Sequence, residues 1–343
     1  SCIINGRNHH SNHLACLTNG STGYPGSDGY IPFENGFLSE ILRAQGYNTY
    51  CVGKWHLAPE ETMTAAGPYD RWPLGRGFER FYGFMGGDTH QYYPELVRDN
   101  SQTEPESTPE QGYHLTPDLV EKATAMIADA KQVAPNKPFF LYFALGAMHS
   151  PHHVPKEWAD RYAGKFDAGW EVYRREVFER QKQLGLIPPT AELSAPDPDV
   201  ADWETLSADE RRLFSRMMEV FAGFLEHTDH HVGRVLDAVE DLGVMDDTLI
   251  YYIIGDNGAS AEGTINGCFN EMTTLNGMPG IETTEFLLSK IDDFGTPDAY
   301  NHYAVGWAHA LCAPYQWTKQ VASHWGGTRN GTIVHWPRGL ADK

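Results

Sequence analysis

Residues 249–254 form an uninterrupted apolar run that stops at Gly255-Asp256-Asn257-Gly258. Such a run, rich in β-branched and aromatic residues, suits a strand covered on both faces, as in a parallel α/β sheet. The pattern therefore predicts a buried strand that brings Asp256 and Asn257 to the rim of a sheet, where α/β proteins bind ligands. Asp-Asn-Gly is also typical of a plain tight turn, and the tripeptide alone leaves that alternative open.

Segments with helical and strand periodicity alternate along the rest of the chain. The pattern predicts helices at 37–45, 116–131 and 207–242, and strands at 47–52, 138–144 and 332–336. Gly46 ends the first helix, Thr116 caps the second with Pro117 at its first position, and Ser207 with Glu210 forms a capping box on the third. The alternation predicts an α/β fold with a mostly parallel central sheet sandwiched by helices.

Polar, glycine-rich or weakly periodic stretches separate these elements. We predict one α/β domain over residues 1–343, with insertions at about 94–112, 156–206 and 259–303. We expect the domain to be incomplete at both ends, because no strand precedes the polar cluster that opens the chain and no helix covers its last strand. The sequence contains no internal repeat.

Polar side chains follow three of the predicted strands. Lys54 and His56 are two residues apart at a strand end, so an extended backbone would project both to the same side and form an anion pocket. One of the histidines in Met-His-Ser-Pro-His-His, residues 148–153, would face the same cleft. The Asp256 carboxylate beside the Asn257 amide oxygen suits a hard divalent cation. Each of these features, taken alone, more often belongs to an ordinary surface than to a functional site. Their occurrence together favours a functional site.

Composition and charge restrict the classes of molecule that the protein is expected to bind. The formal net charge of −20 disfavours nucleic acid and anionic membranes, although a local group of cations can still bind a small anion. The five cysteines are scattered and suggest neither a disulfide scaffold nor a zinc ribbon. No apolar run in the sequence is long enough to span a membrane.

Together these stretches resemble the type I sulfatases of the alkaline phosphatase superfamily, particularly bacterial arylsulfatases. Gly-Lys-Trp-His-Leu at 53–57 is similar to the second family signature, and Ala-Met-His-Ser-Pro at 147–151 is similar to its Ala-Pro-His-x-Pro segment. Asp-Asn-Gly at 256–258 resembles the metal-binding turn. Lys319 followed by Gly-Gly at 326–327 resembles the closing element, with a gap one residue longer than usual. The likeness runs nearly end to end, in the family's order.

The front of the chain departs from the family. Sulfatases of this type convert the cysteine of a C-x-P/A-x-R motif into formylglycine, and this chain opens with the turn that follows that motif. Cys2 cannot replace the cysteine, because Ile4 and Gly6 stand where proline and arginine are needed, and Cys312 lies too late. The resemblance therefore implies formylglycine upstream of Ser1. The first-strand Asp-Asp pair and the C-terminal subdomain are also missing, so we expect an inactive fragment.

The resemblance also implies a metal and a maturation partner. Asp256 and Asn257 would hold one divalent cation, Ca²⁺, which would bind a sulfate oxygen. A formylglycine-generating or equivalent enzyme would mature the cysteine. The hydrated formylglycine would then attack the sulfur of a small sulfated ester, expel the alcohol or phenol and release sulfate.

Four further residues carry roles implied by the resemblance. Lys54 and Lys319 would bind the substrate and neutralise its remaining sulfuryl oxygens. His149 would also bind the substrate and protonate the leaving oxygen, whereas His56 would orient the hydrate or assist its collapse.

Two alternatives remain open from the sequence. A phosphodiester or phosphonate monoester hydrolase of the same superfamily uses nearly the same residues. A non-catalytic relative that binds a sulfated ligand would also retain the lysines and histidines.

Overall fold

The computed structural model describes residues 1–255 and 257–340; Asp256 and residues 341–343 lie outside it. The chain divides into two compact units. The first unit comprises Ser1–Gly146 and His231–Val244, and the second comprises Ala147–His230 and the chain from Met245 onward. The predicted single domain and its insertions stay a prediction. Within the described ranges, no helix is both long and apolar enough to cross a membrane.

Strands and helices alternate along the described residues. The strands are β1 (Asn48–Lys54), β2 (Arg80–Phe84), β3 (Leu96–Arg98), β4 (Ser101–Thr103), β5 (Phe139–Ala144), β6 (Ile250–Ile253) and β7 (Thr332–His335). The α-helices are α1 (Cys2–Asn5), α2 (Leu38–Ala44), α3 (Leu115–Val133), α4 (Lys156–Ala159), α5 (Trp170–Gln183), α6 (Ala208–Asp241), α7 (Glu271–Leu275), α8 (Thr284–Ser289), α9 (Val305–Leu311), α10 (Trp325–Thr328) and α11 (Pro337–Leu340).

The first unit is built on a five-stranded mixed sheet with the order β4-β3-β2-β1-β5. Strand β1 is parallel to both β2 and β5, whereas β2 with β3 and β3 with β4 are antiparallel. Successive residues of β1 enter different cores: Cys51 packs in a cluster with Phe37 and Phe78, and Val52 packs with Leu115 of α3. This alternation follows from the period of two along a strand. The predicted α/β class is confirmed, and the sheet is mixed.

The core of the second unit is aromatic. Trp307 of α9 is fully buried among Trp170, Trp203 and Phe214, and its indole N–H donates to the Phe214 carbonyl oxygen at 2.9 Å. Buried indoles of this kind usually need such a partner.

The predicted capping box opens α6. The Glu210 amide donates to Ser207 Oγ at 3.2 Å, and the Ser207 amide donates to Glu210 Oε2 at 2.8 Å. Two otherwise unpaired amides are thereby satisfied, and the prediction is confirmed.

The predicted start of α3 was wrong. His114, not Thr116, caps this helix: it has extended backbone, and its Nδ1 accepts from the Thr116 amide at 3.2 Å. Thr116 lies inside the first turn and is buried. Pro117 is the third residue of the helix rather than the first, because the helix begins at Leu115. The Thr-Pro signal thus marks a helix start without specifying which residue caps it.

The predicted burial of the 249–254 strand, β6, was also wrong. β6 forms an antiparallel two-stranded sheet with β7, and it is not covered on both faces: Tyr251 is 60% exposed and Ile253 is 37% exposed. β5 is only half-buried along its length. An apolar run favours an extended backbone, but it does not specify which strand will pair with it or what will cover it.

Candidate active site

Lys54 and His56 lie at the end of β1 and just after it, in the first unit. Gly53 has a φ of +107°, and a Cβ atom there would lie 1.9 Å from the Ala144 carbonyl oxygen of β5. Only glycine permits this approach, so the backbone that leads into Lys54 depends on it. Lys54 and His56 are half-buried, whereas Trp55 between them is buried.

The backbone of His56 is held in an uncommon conformation. Its φ is +50°, in the left-handed region that few non-glycine residues adopt. The His56 amide donates to the Met85 carbonyl oxygen at 3.1 Å, and the Trp55 amide donates to Phe84 at 3.0 Å. A Cβ atom on Gly87 would lie 2.9 Å from His56 Cε1, so this glycine lets backbone pack against the imidazole. Strained positions of this kind cluster at functional sites, and His56 stays a candidate.

The second unit joins two motifs that are far apart in sequence. The Gly258 amide of the Asp-Asn-Gly turn donates to the Gly327 carbonyl oxygen at 3.0 Å. The Lys319 amide donates to the Ala259 carbonyl oxygen at 2.9 Å. Lys319 therefore lies next to the turn, and its longer spacing from the Gly-Gly pair does not separate it from the other residues of the motif.

The residues on either side of Asp256 are held by one side chain. The amide of Asn330 donates to the carbonyl oxygen of Gly255 at 3.3 Å and to that of Asn257. Asp256 itself, the predicted carboxylate ligand, lies outside the described residues. The flanking backbone is nevertheless fixed to the segment that begins at the Gly-Gly pair.

Lys319 and His149 meet directly. The Lys319 ammonium donates to His149 Nε2 at 3.1 Å and to Glu262 Oε2 at 2.7 Å. His149 Nδ1 lies 2.8 Å from the carbonyl oxygen of Ser150. An ammonium group only donates and a carbonyl oxygen only accepts, so these partners assign the proton of a neutral His149 to Nδ1. In this arrangement Nε2 is an acceptor.

Glu262 contacts the predicted site residue Lys319 and was not among the residues named from the sequence. Burial raises the pKa of its carboxyl group, but the hydrogen bond and charge of Lys319, with Ser260 and His149, outweigh burial and lower the pKa to about 2. The side chains of Glu262 and Lys319 are 18% and 14% exposed. Glu262 stands in a stretch that its composition marks as loop; its only local signal is a serine two residues before it.

The two other histidines of the 148–153 segment are buried and have contacts of a structural kind. His153 Nε2 lies 2.6 Å from the Ala299 carbonyl oxygen. His152 is buried among Phe221, Tyr303 and His302, and burial lowers its pKa well below the usual range. Of these three histidines, His149 is the half-buried one that contacts Lys319.

The described residues fit Ca²⁺ in kind but not in number. The Asn257 amide oxygen is a hard donor of the type that Ca²⁺ takes, usually with six to eight oxygens in all. Within residues 1–255 and 257–340, no group of three His, Cys, Asp or Glu side chains could hold a metal ion. Asp256 lies outside that range, so the predicted Asp256 and Asn257 pair stays a prediction.

We expect Gly258→Ala to destabilise the second unit by about 1–3 kcal/mol or more, because the new Cβ would overlap backbone. It would lie 1.7 Å from the carbonyl oxygen of Gly326. Urea denaturation of a protein that contains this chain measures the loss. Gly233→Ala, in the first unit, is the control for an added Cβ atom that meets no neighbour: nothing lies within 4 Å of a Cβ atom there, and alanine in a helix is neutral or stabilising. Equal stability of both variants would show that the turn moves without cost.

The chain is similar in fold to a solved structure. A crystal structure of Ps i-CgsB in complex with k-i-k-neocarrahexaose matches with a TM-score of 0.54 at 18% identity, covering 98% of this chain and 54% of that one. At this identity the likeness shows the fold alone.

Sequence identity to curated proteins is higher than to this solved structure. An uncharacterised sulfatase from Schizosaccharomyces pombe is 30% identical over 331 residues, which cover 92% of this chain and 56% of the relative. An arylsulfatase from Klebsiella aerogenes is 27% identical over 316 residues, which cover 88% of this chain and 61% of the relative. The chain thus spans somewhat more than half the length of these relatives. The sulfatase family model matches residues 1–343, and the chain belongs to the sulfatase family.

Proposed function

We propose that a protein containing this chain hydrolyses a small sulfate monoester, with a phenol or alcohol as leaving group. The mature enzyme is here a protein that carries this chain behind a C-x-P/A-x-R motif whose cysteine has been converted to formylglycine. The proposed partners of the protein are the sulfate monoester substrate and the enzyme that converts the cysteine to formylglycine.

The observation that carries the proposal is the position of Lys319. Its ammonium group contacts the imidazole of His149, while its backbone bonds to Ala259, next to the Asp-Asn-Gly turn. A fixed cation beside a proton-transfer group is what hydrolysis of an anionic ester needs, because charge develops on the sulfuryl and leaving oxygens.

Two lysines and two histidines of the chain have proposed roles at the substrate. Lys319 and Lys54 bind sulfuryl oxygens, each a preorganised donor worth a few kcal/mol. Uptake of a proton from solvent by Nε2 of His149 would displace the Lys319 N–H, which could then bind a sulfuryl oxygen, and the protonated Nε2 could deliver its proton to the leaving oxygen. His56 orients the nucleophile. General acid or base assistance of this kind contributes roughly 10²- to 10⁴-fold.

The metal and the modified cysteine supply chemistry that these residues lack. When bound, Ca²⁺ would act as a Lewis acid on a sulfuryl oxygen and formylglycine would provide the nucleophile. Asp256 and Asn257 are the proposed ligands within this chain.

The test compares the mature enzyme with the same protein in which the motif cysteine is alanine. We expect turnover of an aryl sulfate that depends on the cysteine and exceeds turnover of an aryl phosphodiester. The present chain alone should show none, because it carries no cysteine in that motif. A higher rate on the phosphodiester would favour the phosphodiesterase alternative, and binding of a sulfated ligand without turnover would favour the non-catalytic one. Turnover by the present chain alone would require a different nucleophile.

A further inference from the structure

We propose that Glu262 is a positioning residue of the active site, which holds the Lys319 ammonium in the orientation that the substrate needs. The inference rests on the proposed function, and it adds a residue that the motifs of the chain do not include. Glu262 acts through Lys319 and need not touch the substrate.

Both carboxylate oxygens of Glu262 are engaged. Oε2 accepts from Lys319 Nζ and from Ser260 Oγ, each at 2.7 Å, and Oε1 accepts from Gln320 Nε2 at 2.8 Å. Exposed ion pairs hold their side chains loosely, but this pair is largely covered and hydrogen-bonded on both oxygens. The carboxylate therefore has one orientation, and the ammonium that it binds is fixed with it.

The backbone beneath the pair is fixed as well. The Glu262 amide donates to Ser260 Oγ at 3.1 Å, which closes a local turn. A Cβ atom on the next residue, Gly263, would lie 2.1 Å from the Tyr303 carbonyl oxygen, so the chain here runs against buried backbone. On the other side, Lys319 is tied to Ala259 through its own amide. Both partners of the ion pair thus leave from anchored segments.

The contacts of Lys319 suit a role in binding an anion. An ammonium group has three N–H bonds. Glu262 takes one and His149 takes another. The Glu262 bond fixes the ammonium, so that its third N–H, and the second once His149 Nε2 is protonated, can be directed at sulfuryl oxygens. Without the carboxylate, the ammonium would keep only the imidazole and would lose this direction.

A contribution to protein stability does not by itself explain a covered Glu-Lys ion pair. Removing two charges from water is costly, and apolar residues of similar volume often stabilise a protein equally well or better. A covered Glu-Lys pair that also contacts a histidine is the kind of arrangement that positions charges at functional sites.

The test is a double-mutant cycle in the mature enzyme, with kcat on an aryl sulfate as the readout. We expect Glu262→Gln to lower kcat about 10- to 100-fold, as the loss of supporting residues does at other sites. Lys319→Ala should lower kcat about 100-fold or more. Because Glu262 acts through Lys319, adding Glu262→Gln to Lys319→Ala should change kcat by no more than about twofold. Glu262→Asp, which keeps the charge, should retain more activity than Glu262→Gln.

Glu282→Gln is the matched control. This carboxylate lies in the same stretch and accepts from the Phe269 and Asn270 amides at 2.7 and 3.0 Å, so its role is structural. The control should lower the melting temperature without lowering kcat in the folded protein. Additive losses in the cycle, or an unchanged kcat for Glu262→Gln, would overturn the inference while leaving the sulfatase proposal standing. A wild-type mature enzyme without turnover would overturn the proposed function, and this inference with it.

Discussion

Lys54→Ala should lower kcat of the mature enzyme on an aryl sulfate by about 10²- to 10³-fold, the usual cost of removing one preorganised donor from a charged transition state. Lys54 ends β1 at the point where Gly53 packs against the Ala144 carbonyl, so its Cα is rigidly placed. The side chain is only half-buried and belongs to neither hydrophobic cluster of the first unit. The fold should therefore survive the substitution.

Lys122→Ala is the control for this prediction. Lys122 belongs to the same unit, its side chain is 21% exposed, and its ammonium pairs with Glu106 and Asp118. It lies on α3 and has no proposed role in the reaction, so kcat should stay at the wild-type value. Steady-state rates and circular dichroism of both variants separate catalysis from folding. A native-like Lys54→Ala protein with wild-type kcat would remove this lysine from the site.

Local signals in the sequence predicted some elements correctly, whereas β2, β3, β4 and α5 were not predicted. The capping box at Ser207 and Glu210 predicted the start of α6 because both partners of each bond lie within four residues. The apolar run at 249–254 likewise predicted β6. Signals of this kind act through neighbouring residues, and no distant contact has to be known.

The surroundings of those elements were harder to predict. β6 pairs with β7, about 80 residues later in the chain. Neither that partner nor the 60% exposure of Tyr251 follows from an apolar run, because both depend on which distant segment packs alongside.

The candidate site shows the same difference between features that local sequence signals predict and features that depend on distant contacts. Lys319 and His149 were named from their motifs, and the structure brings them together over a separation of 170 residues. Glu262 was not named, because its function depends on the Lys319 contact and on nothing in its own neighbourhood except Ser260. Residues that support others carry weaker sequence signals than the residues that they support.

The largest expected effect concerns Asp256. The backbone on both sides of this residue is tied to one segment, through Asn330 to the carbonyls of Gly255 and Asn257, and through Gly258 to Gly327. The neighbours of Asp256 are thus fixed, and the family resemblance implies a metal-binding carboxylate and amide oxygen at Asp256 and Asn257. Ca²⁺ binds such hard oxygens, and the negative charge of the carboxylate contributes much of the affinity.

Asp256→Ala in the mature enzyme should therefore weaken Ca²⁺ binding by more than about 100-fold, because a lost ligand costs more than a lost supporting residue. Turnover of the aryl sulfate should fall in parallel, and excess Ca²⁺ should restore only part of it. Calorimetric titration with Ca²⁺ measures the first effect, and kcat across a Ca²⁺ series measures the second.

Asp246→Ala is the control, since this exposed acid lies only ten residues earlier in the same unit. It changes the net charge by the same amount, so an effect shared by both variants would reflect general electrostatics rather than a ligand. If chelation leaves the wild-type rate unchanged, the metal assignment is wrong. Asp-Asn-Gly is then the plain turn that its composition also allows, and the site must neutralise the sulfuryl group with Lys54 and Lys319 alone.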